Sequence, residues 1–316
     1  MEKGNLTTVT EFILLGLSQA QEVQLFLFVL FLLFYAVILP GNILIIVTIQ
    51  SEPRLGSPMY FFLANLALLD IFYCSITPPK MLVDFFSGQK TISYAGCIAQ
   101  IFFLHFLGAA EAFLLIGMAY DRYVAVCQPL RYSALVNRRV CWSLVAMAWI
   151  GGFLHAVILV TLTAQLPFCG PNVLYNFFCD IPQVIKLACA NTYEAEVLTF
   201  SNNGLVILLC FLLLLTSYTF LLLKLHGYSG SAKGKSKITS TCITHIIVIF
   251  VMFCPAIYLY CHPFHTVAME KLVAVFHTVV FPLTNPMIYT LRNKEVKVAM
   301  RRKLSRYLLC VGKSSK

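Results

Sequence analysis

Charged side chains are scarce in this sequence. They make up 11% of its 316 residues, with 13 acids against 23 lysines and arginines. A soluble globular domain carries roughly a quarter charged residues, so this chain has less than half the charge such a surface uses. Hydrophobic residues reach 59% and the mean hydropathy is +0.83. Intrinsic disorder and a conventional soluble enzyme are excluded. A polytopic membrane protein remains. The net charge of +10 is clustered, which points to membrane topology and not to nucleic acid. Long linkers, a soluble domain and an inverted repeat of the transporter kind are also missing.

Charge-free windows mark the membrane. Residues 23–51, 91–110, 140–179, 197–223, 238–269 and 272–291 contain no Asp, Glu, Lys or Arg. A helix needs about 20 mostly apolar residues to cross a bilayer. A further apolar segment, 58–81, holds the single acid Asp70. The predicted spans are 24–49, 58–81, 94–127, 140–161, 196–226, 236–261 and 271–291. The expected fold class is an all-α membrane protein, a seven-transmembrane helix bundle. A β-barrel would show strict alternation in strands of roughly ten residues, and 27–33 and 208–215 show none. The expected division is an extracellular N-terminus over 1–23, the bundle over 24–291 and a cytoplasmic tail over 292–316.

Lysine and arginine set the orientation. Lys3, Lys80, Lys90, Lys186 and Lys271 fall on one side of these spans, and the remaining 18 of the 23 bases fall on the other. The base-rich side is cytoplasmic, which places the N-terminus outside. Residues 1–22 have neither an apolar core nor a small-residue cleavage site, so they do not read as a cleaved signal peptide. Asn5-Leu6-Thr7 is a glycosylation sequon suited to that side. Cys97, Cys169, Cys179 and Cys189 fall at outer loops or helix ends, where disulfides persist. Four cysteines allow three pairings, and spacing does not choose among them.

Ionisable groups inside a membrane are expensive and mark function. Three acids lie at such depths: Asp70, Glu111 and Asp121. Two carboxylates facing one site cannot both stay charged, so either one is protonated or a cation lies between them. Asp121 is followed by Arg122 at the cytoplasmic end of the third span. Opposite charges side by side at a water boundary suit a switch whose arginine changes partner when helices rearrange.

Longer motifs surround these residues. Pro58-Met59-Tyr60-Phe61-Phe62-Leu63 opens the second span, and Met118-Ala119-Tyr120-Asp121-Arg122-Tyr123-Val124-Ala125-Val126-Cys127 closes the third. Lys237-Ile238-Thr239-Ser240-Thr241-Cys242-Ile243-Thr244-His245 opens the sixth, and Pro286-Met287-Ile288-Tyr289-Thr290-Leu291-Arg292-Asn293 ends the seventh. In this order they resemble the class II, tetrapod-type odorant receptors among the rhodopsin-like G-protein-coupled receptors. The likeness runs from Thr10 to about Arg302. Departures are Gly56-Ser57-Pro58 where the family has His-Thr-Pro, and Phe253-Cys254-Pro255 where it often has Phe-Tyr-Gly. Pro255 is expected to break the sixth helix.

The resemblance implies disulfides Cys97–Cys179 and Cys169–Cys189, holding a lid over a pocket between helices. It implies a G-protein switch of Asp121, Arg122, Tyr123, Tyr218, His245 and Tyr289. It also implies an intramembrane polar network of Asn42, Asp70, Glu111 and Asn285, with a sodium ion or a proton at Asp70 and Glu111. No other cofactor and no metal site is expected, because Pro263 disturbs the spacing in Cys261-His262-Pro263-Phe264-His265. Residues 293–309 place Val296, Met300, Leu304 and Leu308 on one face and bases on the other, which fits an amphipathic helix lying on the inner leaflet.

Ring-of-charge channels, transporters and intramembrane enzymes each need features this chain lacks. The resemblance implies a receptor, in the plasma membrane and in cilia of olfactory sensory neurons, that couples a stimulatory, olfactory-type G protein to cAMP. Its partners would be a small volatile odorant, that heterotrimeric G protein and membrane lipid, with no nucleic acid. The outer half of the third span carries no acid to pair with an amine, and 272–291 offers no lysine for a Schiff base. An apolar pocket for neutral ligands is expected. By resemblance its wall holds Leu104, His105, Gly108 and Ala109, with Asn202, Tyr258 and Thr278 from the fifth to seventh spans. His105 and Tyr258 would bond an alcohol, ketone, aldehyde or ester.

Overall fold

The computed structural model describes residues 9–226, 232–261, 267–284, 295–303 and 305. A short strand β1 (Glu11–Leu14) leads into the first long helix, α1 (Gln21–Ser51). The helices α2 (Pro58–Cys74) and α3 (Pro78–Asp84) and the strand β2 (Thr91–Ser93) precede the longest helix, α4 (Tyr94–Cys127). Then come α5 (Tyr132–Leu135), α6 (Arg138–Ala164), the strand β3 (Val173–Leu174) and two short helices, α7 (Ile181–Ile185) and α8 (Tyr193–Thr199). A π turn at Phe200–Gly204 joins α8 to α9 (Leu205–His226). After α10 (Ala232–Cys261), α11 (Val267–Val275) passes through a second π turn, Phe276–Val280.

Among the described residues, six helical segments are long and apolar enough to cross a membrane. They are Gln21–Ser51, Pro58–Asp84, Tyr94–Cys127, Arg138–Ala164, Tyr193–His226 and Ile238–Tyr260. The seventh expected span starts in α11 and stays helical to residue 284. Only helices and closed barrels satisfy every backbone polar group in lipid, and the apolar runs have no strand alternation to support a barrel. Caps mark where several helices begin. Ser93 Oγ accepts from the Gly96 N–H at 3.1 Å, and Asn137 Oδ1 accepts from the Val140 N–H at 3.1 Å. The outer faces of α1, α6 and α9 leave Phe26, Trp142 and Leu209 exposed, a belt that water would not tolerate and lipid covers.

Two expectations about helix continuity need correction. The second span is not one helix: it stops at Cys74 and restarts at Pro78. Pro78 and Pro79 cannot donate backbone hydrogen bonds, so the break falls just before them. Pro255, by contrast, does not break α10, which continues to Cys261. A proline in a transmembrane helix is tolerated where neighbouring helices hold it, and Phe253 and Ala256 on either side are buried.

The centre of the bundle is α4, which packs against α2, α6 and α9. Its closest neighbour approaches at Gly152 of α6. A Cβ there would lie 2.6 Å from the Phe106 carbonyl and 2.7 Å from the Ala110 nitrogen. Those are backbone atoms, and small residues are what allow membrane helices this near one another. Gly152→Ala should therefore force α4 and α6 apart and lower the thermal midpoint of the purified protein by several degrees. Gly88→Ala, which meets nothing within 4 Å, should leave it unchanged.

One end of the bundle carries a three-stranded sheet in the order β2-β1-β3. Strand β1 pairs antiparallel with β2, Phe12 opposite Ile92, and parallel with β3, Leu14 opposite Leu174. Phe12 and Leu14 enter a small core with Ile101, Phe168 and Ile181. Both disulfides lie at this end. Cys97 is bonded to Cys179, with Cα atoms 5.4 Å apart, and Cys169 to Cys189, with Cα atoms 5.8 Å apart.

Candidate functional site

Beneath the sheet and the disulfides lies a cavity of about 80 Å³. One water needs roughly 10–15 Å³ on this measure, so the space suits a small organic molecule. Helix α4 supplies one wall through Leu104, Gly108 and Ala112, with His105 and Ala109 beside them. These positions repeat at i and i+4, one face of a helix. The Tyr73 ring packs over Gly108, 3.8 Å from where a Cβ would lie. Across the cavity stand Met252, Phe253 and Ala256 of α10, and Thr278 of the second π turn.

Of the residues expected to line a pocket, Leu104, His105, Gly108, Ala109 and Thr278 do so, and Asn202 and Tyr258 do not. Asn203 and Tyr260 take their places. The π turn Phe200–Gly204 holds an extra residue relative to an α-helix, which rotates the register and turns Asn203 inward. Tyr258 and Tyr260 are two positions apart, about 200° around a helix, so only one can face the cavity. Counting back from Tyr260 to Ala256 and Phe253 would have found the inward stripe.

The cavity's polar groups come from several elements. Tyr260 donates its hydroxyl to Asp180 Oδ1 at 3.1 Å, and the Ile181 N–H donates to the same oxygen at 2.9 Å. His155 Nε2 lies 3.2 Å from Asn203 Oδ1. The His105 ring centroid lies 5.8 Å from that of Tyr260 and 6.3 Å from that of His155. Asp180 comes from the loop after α6, not from a span, which is why a search of the third span for an acid misses it. The Cys97–Cys179 bond and a 2.8 Å bond from the Cys179 N–H to Gln100 Oε1 fix that loop on α4. Nearby, Gln183 Nε2 donates to Glu270 Oε2 at 2.7 Å, and Lys186 Nζ sits 3.8 Å from Glu270 Oε1.

At the far end of α4, Arg122 Nε donates to Asp121 Oδ2 at 2.9 Å. The other oxygen of Asp121 accepts the Tyr132 hydroxyl at 2.6 Å. The sequence reading did not include Tyr132. Its hydroxyl is held well above the usual tyrosine range by burial and then by this bond to Asp121. Tyr123 instead packs on Phe220, centroids 6.1 Å apart. Tyr218 and His245 are buried and stack with centroids 5.5 Å apart.

Asn42, Asp70 and Glu111 are all buried. Asn42 Nδ2 donates to the Ile38 carbonyl at 3.1 Å. Asp70 and Glu111 each lie about one helical turn beyond the contact of Tyr73 with Gly108, toward the Arg122 end. Asn5, Asn285 and Tyr289 lie outside the described residues, as do residues 262–266, 304 and 306–316. Residues 295–303 are helical, and Glu295 Oε2 accepts the Tyr60 hydroxyl at 2.7 Å.

A buried cavity under a stapled lid, and an Asp-Arg pair at the opposite end of the same helix, are what known relatives can be compared with. The olfactory receptor family model matches residues 31–307. The human protein named olfactory receptor 4M1 is 59% identical over 99% of this chain and all of its own length. Human olfactory receptor 4N5 is 59% identical over 98% of this chain and all of its own length. Mouse olfactory receptor 4M1 is also 59% identical, over 99% of this chain. The chain belongs to the olfactory receptor family. It is a G-protein-coupled receptor of the multi-pass membrane kind and not an enzyme. Its seven-helix bundle is read accordingly, with the cavity and the Asp121–Arg122 pair at opposite ends of the long helix α4.

Proposed function

We propose that this receptor binds small, uncharged volatile ligands in the cavity beneath the disulfides and activates a stimulatory, olfactory-type G protein that raises cAMP. The reading is carried by the cavity itself. It is mostly apolar and supplied with a few polar groups, the usual design for a small neutral ligand. The disulfide end then faces outward, as the lysine and arginine bias requires, and the N-terminus lies outside. Ligand binding favours the arrangement in which α10 swings away from α4 at the Arg122 end, opening a crevice for the G protein. The α4 helix supports this reading because it carries both Leu104 of the cavity and Arg122 of the pair.

Buried Asp70 and Glu111 lie between these two regions. A sodium ion or a shared proton there would bias the inactive arrangement, since neither carboxylate is cheap to bury charged. The receptor acts in the plasma membrane, in the cilia of olfactory sensory neurons, with its basic tail helix against the anionic inner leaflet. A broad odorant screen of the full-length receptor, read as cAMP, tests the proposal. The expected result is activation by neutral volatiles, with potency nearly flat between about pH 6.5 and 8 because such ligands do not titrate there. Activation by protonated amines alone, or ligand-gated current without cAMP, would overturn it.

A further inference from the structure

The lid contributes one carboxyl to the cavity, and its two oxygens are used differently. Asp180 is 4% exposed and lines the cavity. Oδ1 accepts both the Tyr260 hydroxyl and the Ile181 N–H. Oδ2 accepts nothing among the described residues. Next to this pair stands Asn203, 3% exposed, whose Oδ1 meets His155 and whose amide faces the Tyr260 hydroxyl. A carboxylate with one oxygen fully used thus borders the cavity beside Tyr260 and Asn203.

We propose that Asp180 determines specificity in this cavity by accepting a hydrogen bond from the ligand, so that alcohols and phenols bind ahead of ketones, ethers and esters of the same skeleton. A hydroxyl group can give its proton to Asp180 Oδ2. A carbonyl or ether oxygen has no proton to give and leaves the carboxylate facing a lone pair. Sites built to bond a hydroxyl reject analogues lacking it, because a buried polar group is then left unpaired. The inference rests on the receptor reading for the place of the ligand, and adds the functional group.

The protonation state of Asp180 sets the direction. Burial pushes its carboxyl up to about 6, with Glu270 adding to the rise and Tyr260, Ile181 and Lys186 opposing it. Tyr73 of α2 also faces it electrostatically, and His105 and His277 line the same cavity. At neutral pH the group is mainly ionised and accepts. Below about pH 6 a proton settles on Oδ2, since Oδ1 is already accepting twice, and the group donates. Acidification should therefore favour ketones over alcohols.

The test uses purified full-length receptor and matched sets of a small alcohol, its methyl ether and its ketone. The readout is the rise in Tm with ligand concentration, which ranks binding without any G protein. At pH 7.4 the alcohol should bind at least about tenfold tighter than its ketone and ether. In Asp180→Asn the order should reverse, because Tyr260 and Ile181 keep the amide oxygen in place and turn the NH2 toward the ligand. Wild type at about pH 5.5 should shift the same way, an arm that needs no folded variant. An unchanged order in either arm, or no stabilisation by any hydroxyl compound, overturns the role of Asp180. Binding in the expected order without cAMP in cells would instead tell against the coupling proposed above.

Discussion

Arg122→Ala will abolish ligand-dependent cAMP while leaving delivery to the cell surface nearly intact. Arg122 is 20% exposed at its side chain and Asp121 only 1%. The arginine keeps an edge to the surface, whereas the acid depends wholly on its partners. Removing the guanidinium leaves Asp121 with the Tyr132 hydroxyl at 2.6 Å. Folding survives, but the group that would reach into an opened crevice is gone. Its surroundings support that role: Arg122 lies near enough to Cys242 and His245 of α10 for its charge to be felt at both. Tyr132→Phe provides the opposite arm. It frees one oxygen of Asp121 and loosens the clamp, so basal cAMP should rise severalfold. Normal signalling by Arg122→Ala at equal surface level would remove Arg122 from the switch.

The regions legible in the sequence are those where one physical constraint acts alone. The bilayer demands long apolar helices, and α4 runs from Tyr94 to Cys127, the bounds expected for the third span. Leu104, His105, Gly108 and Ala109 share one face of that helix, and the structure places all four on the cavity. Prediction failed where two constraints compete. At Phe200–Gly204 a π turn overrides the α-helical register, so Asn203 and not Asn202 faces the cavity. At Pro255 the tertiary packing of Phe253 and Ala256 outweighs the missing backbone bond. Asp180 had no local signal, because its position depends on Cys179 being tied to a helix 82 residues earlier. Long-range covalent pairing cannot be read from a spacing pattern. The sheet is a similar case: β1, β2 and β3 have four, three and two residues, too few for alternation to show.

Cys179→Ser will prevent surface delivery, and Cys169→Ser will have a smaller effect. The two bonds differ in the loop they close. Cys97–Cys179 spans 82 residues and Cys169–Cys189 spans 20. On the chain-entropy model the longer loop contributes on the order of 4 kcal/mol and the shorter one about 3 kcal/mol. The gap in outcome should exceed that difference, because the two bonds hold different things. Cys97 and Cys179 are both fully buried and pack with Ile101, Phe168 and Ile181. Losing their bond frees the segment that places Asp180 against Tyr260, and it leaves a Cys97 thiol able to mispair with Cys169 or Cys189. The Cys169–Cys189 bond lies at the loop margin, where the Cys189 N–H also donates to the Pro167 carbonyl at 2.9 Å, so this corner keeps a tether without it. Surface labelling of intact cells should show Cys179→Ser near background and Cys169→Ser at an intermediate level. Mass spectrometry of unreduced peptides should recover Cys97 joined to Cys179, and a Cys97–Cys169 peptide from the wild-type protein would overturn the lid described here.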